Sequence, residues 1–348
     1  MDIFKYLDID ENSRKPKYVQ IVDSVTNNIS LGNFSMDDKM PSINMLSEEF
    51  YLSRDTVEKA YKILKERKVI TAVRGKGFYI ARTNLISKTN ILFLVNKLSS
   101  YKLQIYNAFN RSIGANSYTD LQIYHCDETL FLNLLEKNKG AYDYYVIMAH
   151  FKSDIFEHIS ASDKVLQVIN KIPKDKLIML DNINNRIDGK IVKVYQDFEN
   201  DIYDSLIEAY KKIVKYKKLV MIYPEKSVYP YPKRIVHGFR KFCIEKLLDF
   251  EVIDEIYDDM ILKKGDLFIT IVEDDLVNLI KQIRDNEYTI GEDIGVLSYN
   301  DTPLKDLLGI SVVSTDFNTM GETVAQMILS NEKGEVKNPF NFIDRASM

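Results

Sequence analysis

"MPSINMLSEEFYLSRDTVEKAYKILKERKVITAVRGKGFYIA", residues 40–81, decides how the N-terminal part of this chain folds. Ser53 is placed to cap a helix, and Val57, Ala60, Tyr61 and Leu64 then recur at i, i+3, i+4 and i+7, one face of a helix. Upstream, Pro41-Ser42 caps a shorter helix with Ile43, Leu46 and Phe50 as its apolar stripe. Downstream, "KVITAVRGKGFYIA" is two β-rich runs around a glycine-containing loop, which signals a hairpin. Further upstream, "YVQIVDSVTNNISLGNF" sets Tyr18, Val22, Val25 and Ile29 at helical spacing, with Gly32 as the stop. The order helix, helix, helix, hairpin is that of a winged helix-turn-helix.

Charge agrees with that grammar. The 348-residue chain carries a net charge of −4, so it is no polybasic binder as a whole. Residues 52–82, however, hold nine basic residues against three acidic ones. A local basic patch of this kind points to a polyanion. An α-helix fits the major groove, where its first turn meets base edges and phosphates. Arg54 stands one residue past the cap and suits a bidentate contact to guanine. Ser42, Ser53 and Thr56 can bond phosphate, Lys59 and Asn44 lie on exposed faces, and the tip supplies Arg74, Gly75 and Lys76. These nine residues are the candidate DNA contacts.

From Ile91 the pattern changes. Apolar runs such as "ILFLV" (91–95), "YYVIMA" (144–149) and "KLIMLD" (176–181) alternate with helical segments. After "KIVKVYQD" the cycle restarts through "KLVMIYP" (218–224), "LFITIV" (267–272) and "IGVLSY" (294–299). Near-continuous apolar strands between helices predict a parallel sheet covered on both faces, here in two successive halves. The fold class is therefore α/β multidomain: a winged helix over 1–82, a linker at 83–89 and a two-lobed region over 90–348. The lobes are expected to exchange chain near 195–200 and 314–320, and a final helix (320–331) leads into a tail.

Cys126 and Cys243 stand apart, and the histidines at 125, 150, 158 and 237 make no metal-binding pair, so two buried free thiols, no metal and no cofactor are expected. "MDIFKYLDID" has no basic, apolar signal pattern and no stretch is long enough to span a bilayer, so the expected location is cytoplasmic. The chain lacks GxSxG, P-loop and HExxH motifs, and no enzyme is expected.

Residues 16–81 resemble the GntR family of bacterial transcription regulators. The resemblance rests on the Tyr-Gln of the first helix, Met-Pro-Ser before the second, Ser-Arg-x-Thr-Val opening the third and the Gly-Lys-Gly-Phe-Tyr wing. It implies a homodimer on an inverted repeat of double-stranded operator DNA, with Arg54, Thr56 and Gly75 at contacting positions. Two residues depart from the family, which commonly has arginine where this chain has Asn44 and Glu58. A carboxylate near phosphates costs affinity, although it can accept a hydrogen bond from cytosine N4.

Residues 84–348 resemble the LacI-type effector domain, itself similar to periplasmic sugar-binding proteins. The matching stretches are "VYQDFENDIYDSLIEAYKKIVKYKKLVMIYP", "KRIVHGFRKF", "VEDDLVNLIKQI" and "EDIGVLSYNDTPLKDLLGISVVSTDFNTMGETVAQMIL". Carried over singly, the resemblance implies Arg234, Asp274, Asn300, Asp197, Asn182, Ser99 and Tyr101 as effector contacts. Carboxylates, amides and an arginine hold sugar hydroxyls in fixed directions, and an aromatic face covers the ring. Without tryptophan, that face falls to Tyr101, Phe151, Tyr229 or Tyr231.

Together the two resemblances imply a ligand-responsive bacterial transcription regulator, with repression the more usual arrangement in both families. Its effector would be a monosaccharide or sugar derivative. A regulator of a non-sugar metabolite (amino acid, nucleoside or sugar phosphate) is the alternative, and an enzyme with a DNA-binding domain a remote one.

Overall fold

The computed structural model describes residues 3–10, 13, 15–81, 89–182, 186–187 and 189–348. The chain divides into two compact units, Met1–Lys88 and Thr89–Met348. Apart from Thr89, which opens a strand, the connector read at 83–89 lies outside the described residues.

In the first unit, helices α1 (Lys17–Ser30), α2 (Ile43–Glu49) and α3 (Arg54–Glu66) pack on a small antiparallel sheet. Its strands β1 (Lys39–Met40), β2 (Ile70–Val73) and β3 (Gly77–Ile80) run in the order β1-β3-β2. The stripe on α3 is the reason the unit closes. Val57, Ala60, Tyr61 and Leu64 are buried against Ile21, Val25 and Ile29 of α1 and Leu46 of α2. Tyr61 also donates to the Pro41 carbonyl at 2.7 Å, tying α3 to the start of α2. A 3-10 turn, Ile3–Tyr6, adds Ile3 to this core, and Leu7 directly after it joins the same core. It is fastened by the Asn28 amide, which donates to the Tyr6 carbonyl at 2.8 Å.

The second unit holds two sheets of six strands. The first comprises β4 (Thr89–Val95), β5 (Ser117–Ile123), β6 (Tyr144–Met148), β9 (Leu177–Asp181), β10 (Val192–Tyr195) and β16 (Gly334–Lys337), all parallel, in the order β16-β10-β9-β6-β4-β5. The ribbon β7 (Phe151–Lys152) with β8 (His158–Ile159) follows β6. The second sheet comprises β11 (Lys218–Ile222), β12 (Asp249–Ile253), β13 (Asp266–Thr270), β14 (Gly295–Tyr299), β15 (Ser311–Thr315) and β17 (Phe340–Ile343). Its order is β12-β11-β13-β14-β15-β17, parallel except for β17.

Helices cover both sheets. α4 (Ser100–Ile113), α5 (Glu128–Lys137) and α6 (Asp163–Asn170) serve the first lobe. α7 (Phe198–Glu208), α8 (Tyr210–Ile213), α9 (Arg234–Glu245), α10 (Glu273–Asp285) and α11 (Pro303–Leu307) serve the second. α12 (Phe317–Ser330) then returns to pack on α4. That packing is close because Gly321 has no side chain: a Cβ there would lie 2.3 Å from the Ile105 carbonyl oxygen.

The stretch after Asn331 is no tail. It supplies β16 to one sheet and β17 to the other, so the lobes exchange chain three times: after β10, before α12 and between β16 and β17. "GEVK" is short and mostly polar, so it lacks the apolar run by which the inner strands were read. Hydrogen bonds knit the three crossings together. Thr315 donates to Gln196 at 2.8 Å, the Asn338 side chain to the Asp316 carbonyl at 2.9 Å, and the Asn338 backbone to the Tyr195 carbonyl at 2.7 Å. Among the described residues no helix is long and apolar enough to cross a membrane.

Candidate nucleic-acid interface and ligand cleft

On the first unit, Ser42 and Ser53 are both caps, accepting from the Met45 and Thr56 amides at 3.2 Å each. The Ser53 and Thr56 hydroxyls lie 2.8 Å apart. Arg54 is exposed and meets Glu58 one turn later at 3.5 Å, a solvated pair of little energetic weight. Asn44 is exposed in the first turn of α2. The Lys59 ammonium sits 3.9 Å from the Tyr18 ring centre, so its tip is drawn toward α1. In the wing, Val73 pairs with Gly77 and leaves Arg74, Gly75 and Lys76 as an exposed three-residue tip. Gly75 takes φ +77°, a left-handed conformation natural to glycine.

In the second unit the carboxyl ends of the parallel strands face one another across the lobes, the usual place for a ligand in open α/β sheets. There they enclose a cavity of about 60 Å³. Asn96 and Lys97 follow β4, His150 follows β6, Asp181 ends β9, Gln196 follows β10, and Tyr299 and Asn300 close β14. Tyr101 of α4 lies stacked on Phe317 of α12, centroids 5.3 Å apart. Asp181 and Asn300 hold left-handed backbones, φ +74° and +65°, at these strand ends.

Asp181 organises the floor. Its buried carboxylate pairs with Lys102, accepts from Gln196 and lies 2.9 Å from His150 Nε2. Burial alone would raise its pKa, but the Lys102 charge and the hydrogen bonds from Lys102 and His150 outweigh burial and hold it well below the usual carboxylate range. His150 Nδ1 lies 2.9 Å from His158 Nε2. One proton arrangement satisfies the row: His158 donates to His150, and His150 donates to Asp181. Burial keeps both rings neutral, with His158 lowered to about 2.

That neutrality has a measurable sign. An unfolded histidine takes a proton near pH 6.5. The folded His158 refuses it, so stability is lost as pH falls from about 6.5. His158→Gln, which can still donate to His150, should flatten the fall by about 1.4 kcal/mol per pH unit between about pH 6 and 4. Urea midpoints followed across that range check this; parallel slopes would refute it.

Of the residues chosen from sequence, Tyr101, Tyr231 and Asn300 line the cavity. Arg234 and Asn182 stand beside it, bonded to each other across the lobes at 3.2 Å, with Arg234 over the Phe198 ring. The others do not line it. Ser99 caps α4, Asp197 accepts from Asn200 at 2.6 Å, and Asp274 is exposed in the first turn of α10. Phe151 is wholly buried among Tyr124 and Phe131, core rather than platform. Tyr229 bonds His125 at 3.0 Å. Sequence reasoning passed over Asn96, Lys97, Lys102, His150, Asp181 and Gln196. A signal existed for half of them, since each of Asn96, His150 and Asp181 is the polar residue that ends an apolar run.

The comparisons with known proteins divide along the same line. Residues 17–80 match the model for bacterial regulatory proteins of the gntR family. The first unit is a gntR-family winged helix. Over 83 residues, 23% of this chain, it is 35% identical to the HTH-type transcriptional repressor YtrA of Bacillus subtilis, covering 64% of that protein. The chain thus spans less than two thirds of the curated relatives it matches. The second unit has its likeness among solved structures. One is a LacI family transcriptional regulator from Lactobacillus casei with bound sucrose: TM-score 0.58, 13% identity, 75% of this chain and 100% of that one. Another is a LacI family regulator from Enterococcus faecium with bound ribose: TM-score 0.57, 16% identity, 75% of this chain and 98% of that one. At such identities the likeness establishes the two-lobed fold.

Proposed function

We propose that this chain is a ligand-responsive transcription regulator. Its gntR-family unit binds operator DNA as a dimer, and its two-lobed unit senses a monosaccharide or sugar derivative in the cleft. One observation carries the effector reading. Asn96, Tyr299 and Asn300 line the cavity, and the Asn96 Oδ1, Tyr299 hydroxyl and Asn300 Oδ1 are buried with no hydrogen-bond partner among the described residues. Buried polar groups are normally satisfied, and two acceptors and a hydroxyl on residues that line one cavity with the Tyr101–Phe317 stack suit a polyhydroxylated molecule. The sucrose- and ribose-bound neighbours favour the same class.

The cavity is below the roughly 300–1,000 Å³ of ligand pockets. Entry therefore requires the lobes to part, breaking the cross-lobe pairs Lys233–Glu157 (2.8 Å), His125–Tyr229 (3.0 Å) and Arg234–Asn182 (3.2 Å). Ligand that re-closes them would shift the lobe equilibrium. Half-sites lie about one helical turn apart, so a change in the spacing of paired recognition helices forbids simultaneous binding. Release from DNA, hence repression, is the favoured sign.

The test uses the full chain and a duplex it selects from a random pool. Titrating a panel of monosaccharides, amino acids and nucleosides should raise Tm by a few degrees for one sugar class and change duplex affinity about five- to 150-fold. Stabilisation by amino acids or nucleosides alone would sink the sugar reading, and failure to select any duplex would sink the regulator.

A further inference from the structure

The charges around the cleft do not balance. Among the described residues Asp181 is the one carboxylate lining the cavity, and Lys102 neutralises it. Lys97 also lines the cavity, and no carboxylate lies within ion-pair distance of it among the described residues. Its ammonium rests 4.7 Å from the Tyr231 ring centre and 3.5 Å from the Tyr231 hydroxyl. Among the described residues Arg234 holds only the Asn182 amide and the Phe198 face. Lys305, fully buried behind β14, donates to the Tyr299 and Asn300 carbonyls at 2.9 Å each. Its charge too has no carboxylate partner among the described residues. Glu273, which Tyr101, Tyr231 and Lys305 all feel, is exposed at the start of α10 and does not line the cavity.

Cations removed from water without a counter-ion are costly unless the charge is supplied from elsewhere. Burial presses the Lys97 pKa down; an anion arriving in that poorly screened setting would restore the charged form and pair with it. The unpartnered amide oxygens of Asn96 and Asn300 in the same cavity require donors, which hydroxyls provide.

We propose that the effector is a polyhydroxylated anion, its acidic group bound by Lys97 and its hydroxyls by Asn96, Asn300 and Tyr299. This rests on reading the cleft as the effector site. The acidic group is a carboxylate or a phosphate, and the two are separated by experiment.

Calorimetry on the full chain at fixed ionic strength compares neutral aldoses with their aldonic acids, uronic acids and 6-phosphates, alongside citrate and glutamate. One acidic sugar should bind at least about tenfold more tightly than its neutral parent. Lys97→Met should erase that preference and Lys97→Arg should keep it; if Lys97→Met folds poorly, Lys97→Gln serves. The better of the carboxylate and phosphate series names the acidic group. Neutral sugars binding as tightly as acids would overturn the charge and leave the sugar reading intact. Citrate or glutamate binding while every sugar fails would overturn the polyol, and no binding by any member would overturn both.

Discussion

Replacing Asp181 with alanine is expected to destabilise the two-lobed unit by about 3–5 kcal/mol, the usual cost of removing one partner from a buried ion pair. The residue is 1% exposed. Lys102, itself 9% exposed, would keep its charge with no carboxylate to meet it, and His150 would lose the acceptor for its Nε2 proton. Gln196 would lose its partner too, loosening the first crossing between lobes, where Thr315 also bonds it. A double-mutant cycle separates these effects. If the penalty is chiefly an uncompensated ammonium, Asp181→Ala with Lys102→Met should be less destabilised than the two single changes added together. Additive losses in urea midpoint would show that Lys102 and Asp181 act independently, contrary to their direct pairing. Asp181→Asn is the milder change: the amide keeps an acceptor for Gln196 but leaves the Lys102 charge unmet.

The floor built on Asp181 was the least legible part of the chain, and the reason is physical. Periodicity reports which face of an element is buried. It located the stripe Val57–Ala60–Tyr61–Leu64, every member of which is buried, and the apolar inner strands of both sheets. It does not report which strand ends meet across a cleft. No periodicity links Lys102 of α4, His150 and His158 to Asp181; the fold alone sets them together. Resemblance fared unevenly for the same reason. Asn300 and Tyr101 line the cavity, whereas Asp274 is exposed in a helical first turn and Asp197 is taken up by Asn200. β16 escaped because "GEVK" has almost no apolar content, although it carries a crossing between lobes. In the first unit the reading went further. Caps, stripe and hairpin are local signals, and local signals survive without knowledge of the tertiary fold.

Arg54→Ala should abolish sequence preference while leaving weak, salt-sensitive DNA binding. A bidentate arginine–guanine contact is worth about 1–3 kcal/mol of discrimination, roughly five- to 150-fold in affinity for a selected duplex over a scrambled one. In the free protein Arg54 leans on Glu58, but that pair is exposed and costs little to break. Glu58 therefore matters less as a partner than as a negative charge one turn into the helix. Glu58→Gln should strengthen binding to selected and scrambled duplexes alike, because it removes repulsion from phosphates. The wing behaves differently. Arg74 and Lys76 stand on an exposed tip, and Lys76→Ala should weaken both duplexes equally and lower the salt slope by about one. Anisotropy titrations at several salt concentrations tell the roles apart. An Arg54→Ala variant that keeps its preference but loses salt slope would make Arg54 a phosphate contact and move base readout to another residue of α3. That result would leave the fold untouched and reassign only the face of α3 that reads sequence.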